Sequence, residues 1–186
     1  RIEGVTFRQT PSWTFCVRRS RRLLFQGLTL ENGTEIPNSD GIHVSGCQGV
    51  RIAQCDIAGG DDAIAITTVT ARHGMAADCP PERLRMEDVT VSDCVLRSRS
   101  SAVRIGYGPH DVQRVLLQNL TIHGSNRGVG VSTRDGGAVR DLICTNLAIE
   151  TDLMTGHWWG KGEPIHLTAL PGGSGGAAVG AIEHVR

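Results

Sequence analysis

The chain has 186 residues, and its 19 basic and 19 acidic residues leave a net charge of zero. This length suits one domain with its own core. A neutral chain is not a nucleic-acid binder driven by bulk charge. No apolar run approaches the roughly eighteen residues of a transmembrane helix, so neither nucleic acid nor membrane is an expected partner. Gly (24) and Pro (7) make up about one residue in six, which favours many short elements joined by turns.

Two kinds of apolar alternation follow one another along the chain. The first kind occurs at 5–7, 23–32, 50–57, 84–96, 112–122 and 139–149. The second kind occurs between these runs, at 13–17, 41–46, 63–68, 102–107, 128–133 and 164–169. Both kinds are rich in β-branched residues with a period of two, which predicts strands. Runs of the second kind begin about 22 to 40 residues apart.

Short strands that recur at such an interval predict an all-β parallel β-helix, in which each coil buries its inward residues against the next. An antiparallel sandwich is the alternative, and it is disfavoured because no two-residue Asn-Gly or Asp-Gly hairpin joins neighbouring strands. We expect one domain over residues 1–186 with about six coils. Because neither end shows a polar cap, we expect a piece of a longer solenoid with both ends truncated. The six cysteines form no C-x-x-C pair, so a zinc site is not expected.

Stacking allows the second kind of strand to be aligned rung by rung. If Ile42 and Val44, with their counterparts in later coils, face inward, the residue between them faces outward. The predicted outward column is His43, Ala65, Arg104, Gly130 and His166. A second column is formed by the residues two positions before the first inward residue of each strand. Its members are Asp40, Asp62, Ser101, Arg127 and Glu163. Asp40 and Asp62 should therefore lie on neighbouring rungs, about 4.8 Å apart, with Asp61 beside them.

Three carboxylates this close repel one another, so at least one should have a raised pKa and hold a proton near neutral pH. This is the arrangement that acid–base chemistry needs: one acid to protonate a leaving group and one or two bases to activate water. Two alternatives remain open at this point. The aspartates could cap turns of the solenoid, or the cluster could hold calcium.

The motifs NSDG (38–41) and GDDAIAI (60–66) resemble N-T-D-G and G-D-D-C-I-A-I of glycoside hydrolase family 28, the polygalacturonases and their relatives. PSWT (11–14) and NRGVGVSTRDGG (126–137) also fall in family-like places. The resemblance implies a right-handed parallel β-helix, a pectin-lyase-like solenoid, that hydrolyses pectic galacturonides by inversion without a cofactor or metal. It also implies that Asp61 is the general acid and that Asp40 and Asp62 activate the water. Relatives are often secreted or periplasmic.

The sequence departs from the family pattern at two motifs. The histidine of G-H-G is replaced by Ser101, and the basic residues of R-I-K fall at Gly130 and Ser132. In the family these basic groups hold the carboxylate of the substrate. Arg104 lies in the outward column one rung earlier, and Arg127 lies on the rung that lost the basic pair. Either can supply a guanidinium fork for a uronate.

The segment 155–166 is dense in groups that bind sugars. It contains two of the three tryptophans, Trp158 and Trp159, and the single lysine of the chain, Lys161. Tryptophan rings stack on sugar faces. We therefore expect His157 and Lys161 to bind substrate, together with His43 and His166 of the outward column. The alternative for the two tryptophans is packing against the solenoid.

These observations predict inverting hydrolysis of a glycosidic bond in a pectin-like or other acidic polysaccharide, with a uronate-containing substrate as the partner. Two rival functions remain. A polysaccharide lyase on the same fold would use carboxylate-bound calcium with an Arg or Lys base. A non-catalytic carbohydrate-binding or structural solenoid would bind without turnover.

Overall fold

The computed structural model describes residues 1–68, 84–156, 158–171 and 178–186, which are called the described residues below. They form short β-strands wound into stacked coils, and every strand pairing among them is parallel. In this part of the chain no helix is long and apolar enough to span a membrane.

Each coil has three faces, and corresponding strands of successive coils pair with one another. The first face contains β1 (Ile2–Glu3), β4 (Arg21–Gln26), β7 (Gln48–Ala53), β10 (Met86–Ser92), the first half of β13 (Val112–Ser125), the first half of β15 (Val139–Thr151) and β17 (Ile182–Val185). The second face contains β2 (Thr6–Arg8), β5 (Thr29–Glu31), β8 (Asp56–Gly59), β11 (Val95–Ser98) and the second halves of β13 and β15. The third face contains β3 (Phe15–Arg18), β6 (Ile42–Ser45), β9 (Ile64–Thr67), β12 (Ser101–Gly106), β14 (Arg127–Thr133) and β16 (Glu163–Ala169).

The register of the third face confirms the predicted rung alignment. Ile42 pairs with Ile64, and Ile64 pairs in turn with Val103, so the inward residues form one column. The outward column is Cys16, His43, Ala65, Arg104, Gly130 and His166. Apolar and outward residues alternate along each strand, and this fixes the pairing register of the strands. A slip of one residue would turn every apolar side chain away from the core.

Five of the six runs of the first kind, those from 23–32 onward, each cover two faces of a coil. A corner divides the run, and the residue at that corner has a left-handed backbone conformation. In four successive coils these corner residues are Gln54, Asp93, Asn119 and Asn146, with φ between 52° and 57°. Asn and Asp tolerate this conformation better than other non-glycine residues. The Asn119 amide also donates to Asp93 at 2.9 Å, so the corners form a polar ladder.

The core consists of the inward side chains of all three faces. Its largest fully buried members are Phe25, Leu28, Leu30, Ile42, Ile52, Ile57, Ile64, Ile66, Met86, Leu96, Ile105 and Leu117. Three free cysteines, Cys47, Cys55 and Cys94, are buried among them as small apolar residues. The inward side chains Ile165 and Leu167 of the edge strand β16 remain 57% and 50% exposed.

Candidate active site

The predicted acidic residues lie where the chain enters successive strands of the third face. The Gly41 N–H donates to the Asp62 carbonyl at 3.0 Å, and the Ala63 N–H donates to the Ser101 carbonyl at 3.1 Å. These bonds place Asp40, Asp62 and Ser101 on three consecutive rungs. The stacking predicted from the sequence is therefore confirmed for both aspartates.

A glycine at position 41 is what allows the two aspartates to approach. A Cβ atom at Gly41 would overlap with the Ala63 carbonyl oxygen and the side chain of Ile57. No side chain fits there without moving the backbone. The glycine of NSDG thus holds Asp40 one rung from Asp62.

Asp40 is a buried carboxyl that titrates far from its ordinary range. Its residue is only 2% exposed. Burial and, next to it, the charge of Asp62 raise the pKa of Asp40 to about 7, against the opposing effects of Arg104 and of a hydrogen bond from Trp13. Its Oδ1 atom has no hydrogen-bond partner in the described part of the chain. A buried oxygen without a partner disfavours the ionised form of the carboxyl.

Asp61 is the second carboxyl that holds a proton near neutral pH. Burial raises its pKa to about 7, and the charges of Asp62 and Asp40 act in the same direction. Its Oδ1 accepts the backbone N–H of Asp62 at 2.9 Å. A carboxyl that stays protonated near pH 7 has the property required of a general acid.

Asp62 is held as an ion pair with Arg104. The Arg104 Nε donates to Asp62 Oδ2, and the Ser101 N–H donates to Asp62 Oδ1 at 3.2 Å. Burial opposes the charge of the guanidinium, but the carboxylates of Asp62 and Asp40 outweigh it and raise the pKa of Arg104. The guanidinium also lies 4.7 Å from the centre of the Tyr107 ring. The cluster therefore has one ion-paired carboxylate beside two carboxyls that titrate near neutrality.

These residues line one cleft of about 160 Å³. Five predicted site residues meet in it: Asp40, Asp61, Asp62, Arg104 and Arg127. Its other lining residues are Trp13, Asn38, Ser101, Tyr107, Arg134 and Trp159. A mixture of carboxyls, guanidinium groups and aromatic rings is suited to a sugar that carries negative charge.

Arg127 is engaged by a carboxylate of its own chain. Its Nη2 lies 3.1 Å from Glu163 Oε1. His166 Nδ1 lies 3.5 Å from the same oxygen, and the Lys161 backbone N–H donates to Glu163 Oε2 at 2.5 Å. His166 and Lys161 thus surround Glu163 beside the cleft, and neither side chain lines it.

The other residues predicted to contact the substrate do not all lie in the cleft. His43 lies behind Asp40, 5% exposed, with its ring 4.7 Å from the ring of Trp13. Trp158 packs under the guanidinium of Arg99 at 5.0 Å, whereas Trp159 is exposed and lines the cleft. His157 lies outside the described residues.

Sequence reasoning missed Trp13, Asn38, Tyr107 and Arg134 as cleft residues. Tyr107 and Arg134 directly follow the ends of β12 and β14. Extending the rung register beyond the strands would have found them, since the Tyr107 N–H still donates to the Ser132 carbonyl at 3.0 Å. Trp13 lies one rung before Asp40. The family-like motif PSWT (11–14) is the sequence feature that could have indicated it as a cleft residue.

A larger groove of about 660 Å³ on the first face is not the candidate site. Its aspartates are engaged in surface pairs, Asp88 with Arg114 at 2.6 Å and Asp141 with His184 at 3.1 Å. Within residues 1–68, 84–156, 158–171 and 178–186, no three or more His, Cys, Asp or Glu side chains are placed together to hold a metal ion.

The stacked parallel coils superpose on those of solved polygalacturonases. The structure of a polygalacturonase from Erwinia carotovora superposes with a TM-score of 0.65 at 19% identity, over 79% of this chain and 36% of that one. A hyperthermoactive exopolygalacturonase from Thermotoga maritima gives 0.60 at 20% identity, over 89% and 35%. The fold is therefore the parallel β-helix of these enzymes.

The family follows from the sequence comparison. The model described as "Glycosyl hydrolases family 28" matches residues 1–143, and the chain belongs to that family. A probable polygalacturonase from Vitis vinifera is 30% identical over 155 residues, which are 81% of this chain and 30% of that protein. A polygalacturonase from Brassica napus is 29% identical over 147 residues, 79% and 33% respectively. The chain spans about a third of the length of these relatives.

Proposed function

We propose that the protein hydrolyses a glycosidic bond in a galacturonate-containing polysaccharide, with inversion at the anomeric carbon. The observation that carries this proposal is the pair of carboxyls, Asp40 and Asp61, whose pKa values both rise to about 7 beside the ion-paired Asp62. Family membership supports the reaction class, and the names of the relatives support the substrate.

In the proposed reaction Asp61 protonates the glycosidic oxygen as the bond to the anomeric carbon breaks. Asp40 and Asp62 hold a water molecule on the opposite face of the sugar, and Asp40 takes its proton as the oxygen attacks. Inverting enzymes separate acid and base by roughly 6.5–9.5 Å to leave room for this water.

The carboxylate of the substrate needs a cation in the cleft, and we assign this role first to Arg134. Arg104 and Arg127 were the predicted clamps, but their charges are offset by Asp62 and Glu163. Arg134 lies 5.2 Å from the ring centre of Tyr107, and no described carboxylate forms an ion pair with it. Arg104 and Arg127 then act as secondary contacts, and Trp159, Lys161 and His166 face further sugar units of a longer substrate.

Replacing Arg134 with alanine should raise KM for oligogalacturonate by about 10- to 100-fold, because one charge-assisted hydrogen bond is worth about 1.5–3 kcal/mol. The effect should largely disappear on fully methyl-esterified oligomers, which carry no carboxylate. Arg51→Ala, which removes an exposed arginine of the first face, is the matched control. An equal change in KM on both substrates would refute the clamp.

The reaction itself is tested by following the products of polygalacturonate by proton NMR. Hydrolysis with inversion should give the β anomer first, before mutarotation mixes the anomers. An unsaturated product that absorbs ultraviolet light, lost on adding a chelator, would instead identify a lyase. Binding without any product, unchanged in Asp61→Asn, would identify a non-catalytic solenoid.

A further inference from the structure

His43 is a buried histidine that the proposed reaction does not use as a substrate contact. It occupies the outward column between Cys16 and Ala65, and its Nδ1 lies 3.4 Å from Asp40 Oδ2. Trp13 covers the ring from the preceding coil. His43 is 5% exposed and does not line the cleft, so we assign it a role that passes through Asp40.

A hydrogen-bond chain behind the ring fixes where the ring carries its proton. The Thr67 hydroxyl donates to the Ser45 hydroxyl oxygen at 3.0 Å, and so its own oxygen is left as an acceptor. His43 Nε2 lies 3.0 Å from that oxygen. Nε2 must therefore be the protonated nitrogen, and Nδ1 presents a lone pair to Asp40.

The surroundings keep the ring neutral. Burial lowers the pKa of His43 to about 3, and the positive charges of Arg104 and Arg18 act in the same direction, while Asp62 opposes them. The other titratable neighbour in the column is the thiol of Cys16. A neutral ring with a bare Nδ1 repels an ionised Asp40 but accepts a hydrogen bond from a protonated one.

We propose that His43 is a positioning residue whose Nδ1 accepts a hydrogen bond from protonated Asp40, and so strengthens Asp40 as the base that deprotonates the attacking water. The role in catalysis rests on the proposed function. The pairing itself does not. When Asp40 takes the proton from water, the O–H formed on Oδ2 is directed at Nδ1, while the hydroxide formed adds to the anomeric carbon. Nothing is transferred to the imidazole, which stays neutral throughout.

The tautomer is measured first, by two-dimensional ¹H–¹⁵N NMR on histidine-labelled protein, with His43 assigned from the spectrum of His43→Phe. The expected result is a neutral ring with its proton on Nε2 from pH 5 to pH 8. A proton on Nδ1, or an imidazolium at pH 5, would overturn the proposal. This measurement needs no turnover, so it stands apart from any failure of the proposed reaction.

The effect on Asp40 is measured by titrating its carboxyl ¹³C shift. His43→Phe keeps a ring against Trp13 but removes the acceptor, and it should lower the apparent pKa of Asp40 by about one unit, the equivalent of one hydrogen bond. His43→Asn, which offers an amide oxygen, should restore at least half of that shift. An unchanged Asp40 titration in His43→Phe would also overturn the proposal.

Kinetics give the readout that a purely structural residue would not move. In His43→Phe the acidic limb of kcat should move to lower pH by about one unit and kcat should fall severalfold, with KM changed by less than about twofold. Thr68→Val, which removes a neighbouring buried hydroxyl outside the chain behind His43, controls for lost stability and should leave the limb in place. A limb that shifts equally in both variants contradicts the assignment.

Discussion

Asp61→Asn is expected to reduce kcat on polygalacturonate by about 10²- to 10⁴-fold, the range expected when a positioned general acid is lost. The amide has the shape of the carboxyl, and its oxygen can still accept the Asp62 N–H that Asp61 Oδ1 accepts at 2.9 Å. It cannot donate a proton that leaves with the sugar oxygen. The measurement is steady-state hydrolysis of oligogalacturonate, with circular dichroism to show that the fold is unchanged.

The leaving group separates loss of the acid from general damage. A galacturonide with a nitrophenolate leaving group needs little protonation, so Asp61→Asn should lose far less activity on it than on the natural linkage. Asp56→Asn, which alters an exposed carboxylate of β8, is the control and should change neither rate. Equal losses on both substrates would show that Asp61 is not the acid.

Asp40→Asn should abolish turnover and yet stabilise the protein at pH 8. The pKa of Asp40 rises from 3.8 to about 7 on folding, so the folded state favours the protonated carboxyl. Stability from this preference is present in full below pH 3.8 and is lost as pH rises through 7. Asparagine never ionises, and it avoids that loss. The gain in free energy of unfolding at pH 8 should be about 2–4 kcal/mol.

Urea denaturation at pH 8 and pH 4 measures this difference. At pH 4 the wild type already holds its proton on Asp40 in the folded state, so the variant should gain almost nothing there. Asp56→Asn should show no gain at either pH. A variant that is less stable than wild type at pH 8, or equally changed at both pH values, would show that the Asp40 carboxyl is not strained by ionisation.

The sequence predicts the stack well because a parallel solenoid has a single satisfactory register. His43, Ala65 and Arg104 fall in one column for the same reason that Ile42 and Ile64 fall in another: a shift would expose the core. Asp40 and Asp62 stand two residues before the paired Ile42 and Ile64, so the same register places them on neighbouring rungs. Periodicity thus determines where each side chain lies along the stack.

Periodicity does not determine what each side chain contacts. Arg104 shares its column with His166, but only the three-dimensional arrangement shows that its charge is directed at Asp62. His43 is expected at the surface, and it is buried because the Trp13 ring of the preceding coil covers it. Tyr107 and Arg134 lie just beyond the ends of β12 and β14, where the alternation of the strand does not predict which groups a side chain contacts. These contacts depend on loop geometry.

The order of strands in the third face, β3-β6-β9-β12-β14-β16, spreads the cleft over successive rungs. Each strand in such a stack is supported by its two neighbours. Trp13 precedes β3, and its ring lies against His43 of β6. Local opening between β3 and β6 would therefore uncover His43 and Asp40 while the rungs of Asp62 and Arg104 stay paired. In the proposed reaction the base is thus the group most sensitive to the pairing of one strand.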